Sequence, residues 1–349
     1  HRKYIGWVVL KLKDVSKLKN GKKANYSNIG NIPVYGANGI IGYTDKPNSP
    51  KNAIIIGRVG ANAGSVFYSF KEHWVSDNAI SVLPINDRVN PYYLYYALFK
   101  LDLNRLVEGS AQPLINQTIL NSFDISIPDI VFQDKVVEKI LILDKKISLN
   151  KHINDNLLEL AKASYRKVLA ASNLTETKLK DFATITMGQS PSSKTYNEDK
   201  VGLALLNGAA DFRNGIHPSK WTTDPKRIVN KGSYIFGVRA TIGLTTKVFD
   251  KYAIGRGTGS AVSKDTVNDE FLYFVLDDMF KYFSNSGTGS VYINISKSDF
   301  NDYIFCKPQT NDLQKFHQTV GPIMNKIYTN KQENLILTQV KETLLNKYF

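Results

Sequence analysis

"VVEKILILDKKISLNKHINDNLLEL" occupies residues 136–160, and "FHQTVGPIMNKIYTNKQENLILTQV" occupies residues 316–340. At a constant offset of 180, Val136, Ile140, Leu143, Ile147, Asn150, Leu157 and Leu160 meet Phe316, Val320, Ile323, Ile327, Asn330, Leu337 and Val340. Steps of four and three are the spacing of a heptad seam, and almost no Pro or Gly interrupts about 131–171 and 312–348. Each segment is therefore read as one long helix. Gly321-Pro322 is the exception, placed to kink the second helix in its early turns. Some 40 residues at about 1.5 Å each make a rod of roughly 60 Å, longer than the wall of one compact domain. Asn150 and Asn330 share one seam position, each followed by Lys. A buried seam Asn lowers stability but fixes register, so both are expected to set the helix register, a merely exposed Asn being the alternative.

The repeat extends outward from the helices. "KLKDV" (11–15) is echoed by "KLKDF" (178–182), and Gly21 by Gly188, at an offset of 167. "KNAIIIGRVGANAG" (51–64) faces "KGSYIFGVRATIG" (231–243), "YLYYAL" (93–98) faces "FLYFVL" (271–276), and "INQ" (115–117) faces "INI" (293–295). The drift of the offset requires insertions in the second copy. The expected fold class is α+β: two globular α/β-mixed domains, 1–130 and 173–311, alternating with two long helices, 131–172 and 312–349. The helices are expected to form an antiparallel coiled coil with pseudo two-fold symmetry. That symmetry suits a DNA duplex, whose backbone repeats under a two-fold perpendicular to its axis.

Composition agrees with this partner. The 349 residues, 42% hydrophobic, can bury substantial cores, and 45 Lys+Arg against 31 Asp+Glu leave +14, a balance that favours a polyanion. A single cysteine, Cys306, excludes an internal disulfide and a cysteine-based zinc site. No apolar run approaches the roughly 18 residues of a membrane span and no signal-peptide pattern opens the chain, so a soluble cytoplasmic protein is expected. Histidines 1, 73, 152, 217 and 317 lack ligand spacing, and "GRGTGS" (255–260) matches neither a dinucleotide fingerprint nor a phosphate loop. No metal site and no catalytic centre are expected. "NPYY" (90–93) resembles the [DN]PP[YF] stretch of amino-methyltransferases but lacks the second proline, so Asn90 and Pro91 read better as a helix cap and first turn. Pro128-Asp129 with Asp144-Lys145-Lys146 spells a nuclease-like pattern, yet its last three residues lie on the rod.

The remaining motifs look like binding loops. "IPVYGANGIIGYT" (32–44) carries Tyr35, Asn38 and Tyr43 on a hairpin-like pattern, and strand and turn side chains of this kind can reach base edges. Arg58 with Asn62, and Arg239 with Thr241, follow apolar strand-like runs and precede small-residue turns; Arg256 sits in the "GRGTGS" turn. "EGSAQPLINQT" (108–118) offers Ser110, Gln112 and Asn116, and "NSGTGSVYINIS" (285–296) offers Ser290, Tyr292 and Asn294, donors suited to phosphate. "DFRNGIHPSKW" (211–221) gathers Arg213, His217, Lys220 and Trp221. Apart from Trp221, which reads equally as a core anchor, all are candidate DNA-binding residues.

Taken together, "LKDV" and "LKDF", "IIIGRVGANAG" and "YIFGVRATIG", "IPVYGANGIIGYT", "SIPDIVFQDKVVEKI" and "KPQTNDLQKFHQTV" resemble the specificity subunit of type I restriction-modification systems. The resemblance spans nearly the whole chain. It departs at Gln133 and Gln314, which match one residue late, and at "WVSDNAI" (74–80) against "YAIGRGTGS" (252–260). What it implies is a non-catalytic subunit that reads a bipartite double-stranded DNA target, one domain per half-site, with the helices as a ruler. The helices would dock two methyltransferase subunits that use S-adenosylmethionine to methylate adenine. In the full assembly two restriction-translocase subunits would bring ATP with Mg, so these cofactors belong to partners and none to this chain. "ILILDKKI" (140–147) has more apolar residues than one seam needs, which favours docking. The alternatives are a stand-alone two-headed DNA-binding regulator and, less favoured, an autonomous adenine methyltransferase built on "NPYY".

Overall fold

A computed structural model describes residues 7–85, 88–106, 114–213, 215–238, 243–286 and 296–349. The chain divides into two units: His1–Lys146 with Leu337–Phe349, and Ile147–Ile336. In unit 1 a four-stranded antiparallel sheet runs in the order Ser16–Asn20, Ala79–Pro84, Ala53–Gly57, Val66–Ser69. Ala53–Gly57 is buried on both faces, as its unbroken apolar run requires. Ile54 and Ile56 pack with Tyr93, Leu94 and Leu98 of the helix Pro91–Lys100, whereas Ile55, pointing the other way, packs with Val75 and Ala79. Beside Val75 lies a second sheet, Gly39–Thr44, Ile32–Gly36, Trp74–Val75, whose first two strands form the hairpin expected from "IPVYGANGIIGYT".

Unit 2 repeats the plan. Its four-stranded sheet runs Ala183–Met187, Thr258–Ser263, Tyr234–Gly237, Thr245–Lys247. Tyr234 and Phe236 face the core that includes Phe271, Leu272 and Leu276 of the helix Asp269–Ser286, and Ile235 faces a separate cluster with Leu206, Phe212 and Ile254. The second sheet is larger here, five strands with Leu203–Leu206 and Tyr252–Ile254 pairing parallel near its centre.

The echo "KLKDV"/"KLKDF" marks one construction used twice. Strand Val8–Lys11 pairs with Asp124–Ile127, and Leu174–Lys178 with Ile304–Pro308. Each first strand leads into a single helical turn, Leu12–Val15 or Leu179–Phe182, that buries its two apolar ends. Lys11 Nζ reaches Asp124 at 2.8 Å and Lys178 Nζ reaches Asp302 at 3.0 Å. Gly21 and Gly188 are matched for a steric reason: a Cβ there would sit 1.9 Å from the Ser76 carbonyl oxygen or 2.1 Å from that of Gly255.

The first long helix is Ile130–Ala171, 42 residues, and the second is Thr310–Tyr348, 39 residues, continuing through Pro322. Within unit 1 Asp144 bonds Lys341 and Phe132 packs on Tyr348; within unit 2 Asn150 bonds Glu333, and Asn154 bonds Asn330. Numbers rise on one helix as they fall on the other, so the pairing is antiparallel in each unit. Asn150 and Asn330 are each 1% exposed. Asn150 Nδ2 donates to Glu333 Oε2 at 2.7 Å and Asn334 Oδ1 at 2.9 Å, and Asn330 Nδ2 donates to Asn154 Oδ1 at 2.9 Å.

The seam read from the sequence is corrected at its far end. Leu160 and Val340 are exposed, while Asn154, Ala161 and Tyr165 are buried. A strict seven-residue repeat drifts about 20° per heptad against a straight helix, so the buried stripe passes from 150 to 154 and 161 rather than to 160. The late match at Gln133 also resolves. Gln133 is fully buried, its Nε2 donating to the carbonyls of Arg88 and Pro128 and its Oε1 accepting from Asn90 N. At the offset of 180 its counterpart is buried Leu313, and Gln314 is exposed.

Candidate nucleic-acid interface

In unit 1 backbone hydrogen bonds draw several loops to one edge of the four-stranded sheet. Arg58 N donates to Asn78 O at 3.0 Å, and Ile115 N donates to Arg58 O at 2.9 Å. A Cβ on Gly57 would lie 2.6 Å from Asn62 O and 2.7 Å from Ala37 O, so the hairpin turn and the 3-10 turn Gly60–Asn62 flank Gly57 closely. Asn38, Arg58, Asn62 and Asn116 are thereby brought to this edge. Asn38 and Asn62 are exposed and Arg58 is half-buried, its Nη1 reaching only the carbonyl of Asp77, at 3.5 Å. Arg58 Nε is buried with no hydrogen-bond partner among the described residues. Asn116 serves the local fold, because its side-chain oxygen caps the helix Gln117–Ser122 by accepting from Ile119 N at 2.9 Å.

The two tyrosines of the hairpin part company. Tyr35 is half-buried and meets His73 edge-on, ring centroids 5.4 Å apart. Tyr43 is exposed at the other end of the hairpin, opposite Pro33. His73 is fully buried with Nδ1 on the Lys71 carbonyl, and burial pushes its pKa below the ordinary 6.5, against the smaller upward pull of that carbonyl. It therefore supports Tyr35 as a neutral imidazole.

In unit 2 the corresponding edge holds Arg256. Its backbone N and its Nε both lie 3.3 Å from Ser190 Oγ, and Ser190 in turn bonds Asn207. Buried Asp211 organises the adjoining loop: its Oδ2 accepts from Asn207 N and Gly208 N, its Oδ1 accepts from Ser219 Oγ, and its carbonyl accepts from His217 N. Arg213 and His217 are exposed on that loop. Lys220 and Trp221 belong to a strand, not a loop; Lys220 Nζ lies 5.9 Å from the Tyr196 ring and Lys200 Nζ 5.9 Å from the Trp221 ring. This layer of cations on aromatic faces is suited to a phosphate backbone. Ser110, Gln112, Arg239, Thr241, Ser290, Tyr292 and Asn294 lie outside the described residues.

Residue reading missed Asp77, Asn78, Ser190 and Asn207, which share these edges; the only signal was that "WVSDNAI" and "YAIGRGTGS" disagree. The reading of "NPYY" as a cap holds. Asn90 Oδ1 accepts from Tyr92 N and Tyr93 N, and its Nδ2 donates to Asp134, so the side chain is engaged at the helix start. The outer face of the first long helix leaves Val131, Ile142, Leu149 and Leu160 exposed, and in unit 1 a groove of about 340 Å³ lies along Val137, Leu141 and Ile142, with Asp134 and Lys145 on its rim. Among the described residues no group of His, Cys, Asp and Glu could hold a metal ion, and no helix is long and apolar enough to cross a membrane.

Comparison with known proteins gives a consistent picture. The family model for the type I restriction modification DNA specificity domain matches residues 4–159 and again 172–339. The chain is 26% identical over 301 residues, 77% of its length, to the candidate specificity subunit of the type I restriction enzyme MjaX of Methanocaldococcus jannaschii, covering 69% of that protein. It is 26% identical over 151 residues, 41% of its length and 37% of the other, to the specificity subunit of the Escherichia coli type I restriction enzyme EcoprrI. The fold is similar to the crystal structure of the type I restriction-modification system S subunit from M. genitalium, with a TM-score of 0.71 and 18% identity over 100% of this chain and 97% of that one.

Proposed function

This chain belongs to the family of type I restriction-modification DNA specificity domains, and on that premise we propose that it reads a bipartite DNA target and directs partner enzymes to it. The observation that carries the reading is the duplication. The family pattern occurs twice, at 4–159 and 172–339, and each copy folds around the same order of sheet, backing helix and loop edge. Each edge offers amide, guanidinium and hydroxyl groups on short turns, the chemistry needed to reach base edges in a major groove. Lysines such as Lys200 and Lys220 supply phosphate contacts, so affinity falls steeply with salt.

The chain acts without a catalytic centre of its own. A methyltransferase partner, two copies per complex, docks on the apolar outer face around Ile142 and Leu149. It brings S-adenosylmethionine to a flipped adenine. Two restriction-translocase subunits, with ATP and Mg, complete the assembly in the cytoplasm. The long helices set the unread spacer between half-sites, with Asn150 and Asn330 holding their register. The stand-alone regulator is not favoured by the family match. The test is co-expression with a methyltransferase subunit followed by mapping of modified adenines: a split motif with a fixed spacer is expected, and a single contiguous motif would remove the two-reader model.

A further inference from the structure

The two units carry one turn in the same backbone frame with opposite charge at its tip. In unit 1 it is Ser76-Asp77-Asn78-Ala79, and in unit 2 it is Gly255-Arg256-Gly257-Thr258. Four pairs of backbone hydrogen bonds fix the equivalence. Gly21 N donates to Ala79 O at 3.0 Å, and Gly188 N to Thr258 O at 2.9 Å. Lys22 N donates to Val75 O and Gln189 N to Ile254 O, both at 3.0 Å. Ala79 N closes the turn on Ser76 O at 3.1 Å, as Thr258 N does on Gly255 O at 2.9 Å. Arg58 N meets Asn78 O at 3.0 Å where Val238 N meets Gly257 O at 3.2 Å. Asp77 therefore stands where Arg256 stands, and Arg58 stands where the second unit has Val238.

Both tip residues are exposed. Asp77 makes no side-chain hydrogen bond or ion pair among the described residues, and Arg58 touches only its carbonyl oxygen. Arg256 is steadied through Nε by Ser190, which leaves its terminal nitrogens without a partner among the described residues. A bare carboxylate on the binding edge of a chain of net charge +14 is repelled by phosphate, but the amino group of cytosine in the major groove is a donor to it. An arginine at the same place has the complementary preference, for the two acceptors of guanine.

We propose that this turn reads a base in each half-site, Asp77 accepting from a cytosine amino group and Arg256 donating to a guanine, so that the two half-sites differ in polarity at the equivalent position. The proposal rests on the two-reader model above and names what each reader selects there. The experiment is motif mapping with the full chain co-expressed with its methyltransferase partner, alongside competition binding with matched and mismatched duplexes. The unaltered chain yields a split motif; a contiguous one overturns the model and the proposal together. Given a split motif, Asp77→Arg changes one base position in one half-site, leaving the other half-site and the spacer intact, and Arg256→Asp does the converse. The milder Asp77→Asn and Arg256→Gln keep the exposed turn folded and lower discrimination at that one position roughly tenfold to a hundredfold. Split motifs that stay unchanged in all four variants would overturn the proposal. So would a loss of affinity that is equal for all sequences, the mark of a phosphate contact, or a change in both half-sites at once.

Discussion

In unit 1 the helix behind the sheet is tied to the long helices through an acid on the rod, and in unit 2 through acids on the backing helix. Asp144 Oδ2 accepts from Tyr92 OH at 2.6 Å and Tyr96 OH at 2.8 Å, while its Oδ1 accepts from Lys341 Nζ at 2.6 Å. Lys341 also lies 5.1 Å from the Tyr96 ring. In unit 2 Asp278 accepts from Tyr165 OH at 2.9 Å, and buried Glu270 bonds His317 Nδ1. The apolar frame was copied, but the polarity of its ties was reversed. A charge taken out of water needs its partner on the opposing surface, so each tie serves only its own unit. Burial together with the hydrogen bonding around Asp144 pushes the Tyr92 and Tyr96 phenols far above their ordinary range, which keeps them neutral donors to the carboxylate.

The largest expected effect tests this asymmetry. Asp144→Ala takes the shared acceptor from two phenols, leaving them only their mutual contact at 3.3 Å, and removes the counter-charge of an ammonium, and should lower the unfolding free energy of unit 1 by about 3 kcal/mol in urea titrations. Asp278→Ala removes one hydrogen bond and a loose ion pair with Lys281 from a carboxylate that is 46% exposed, and should cost under about 1 kcal/mol. Equal losses would break the comparison. Next comes the asparagine ladder, which belongs to unit 2: Asn330→Ala leaves the buried Asn154 oxygen unpaired and should cost roughly 1–3 kcal/mol. Hydrogen exchange should locate that loss around Asn154 and spare the helix segments of unit 1.

A smaller effect is pH-dependent and confined to unit 1. His73 has a folded pKa below its ordinary 6.5, so below pH 6.5 the unfolded chain binds more protons than the folded one. Stability is full above pH 6.5 and declines as pH falls through that value, by at most about 1.4 kcal/mol per pH unit. Melting profiles from pH 7.5 to 5 should show the decline for the unaltered chain and a flatter course for His73→Phe. The smallest effect is expected at the cation layer of unit 2. Lys220→Ala should weaken DNA binding a few-fold for all sequences and reduce the slope of log K against log salt by about one. Sequence-dependent weakening would instead make Lys220 a base reader.

The duplication, the long helices and the hairpin were legible because their signals are local: a repeated order of landmarks, a helical period without breakers, and paired turn residues. Asn90 was readable as a cap for the same reason, since cap, Pro91 and backing helix are adjacent in sequence. Leu160 was misplaced because helix drift accumulates along the rod, and the residue that enters the seam depends on the opposing helix. Asn116 read as a loop donor, and only the structure adds that it is also the N-cap of the helix Gln117–Ser122, its oxygen accepting from Ile119 N.

What the sequence by itself determined is the family frame: two copies, two rods, a basic surface and the glycines where backbones meet. Only the tertiary structure decided that Asp77 occupies the place of Arg256, and that Arg58 corresponds to Val238. These equivalences are set by hydrogen bonds from Gly21, Lys22 and Arg58, residues distant in the chain, while the tip side chains share no residue type by which they could be aligned. Backbone bonding is indifferent to side-chain identity, so a turn can keep its frame while reversing its charge.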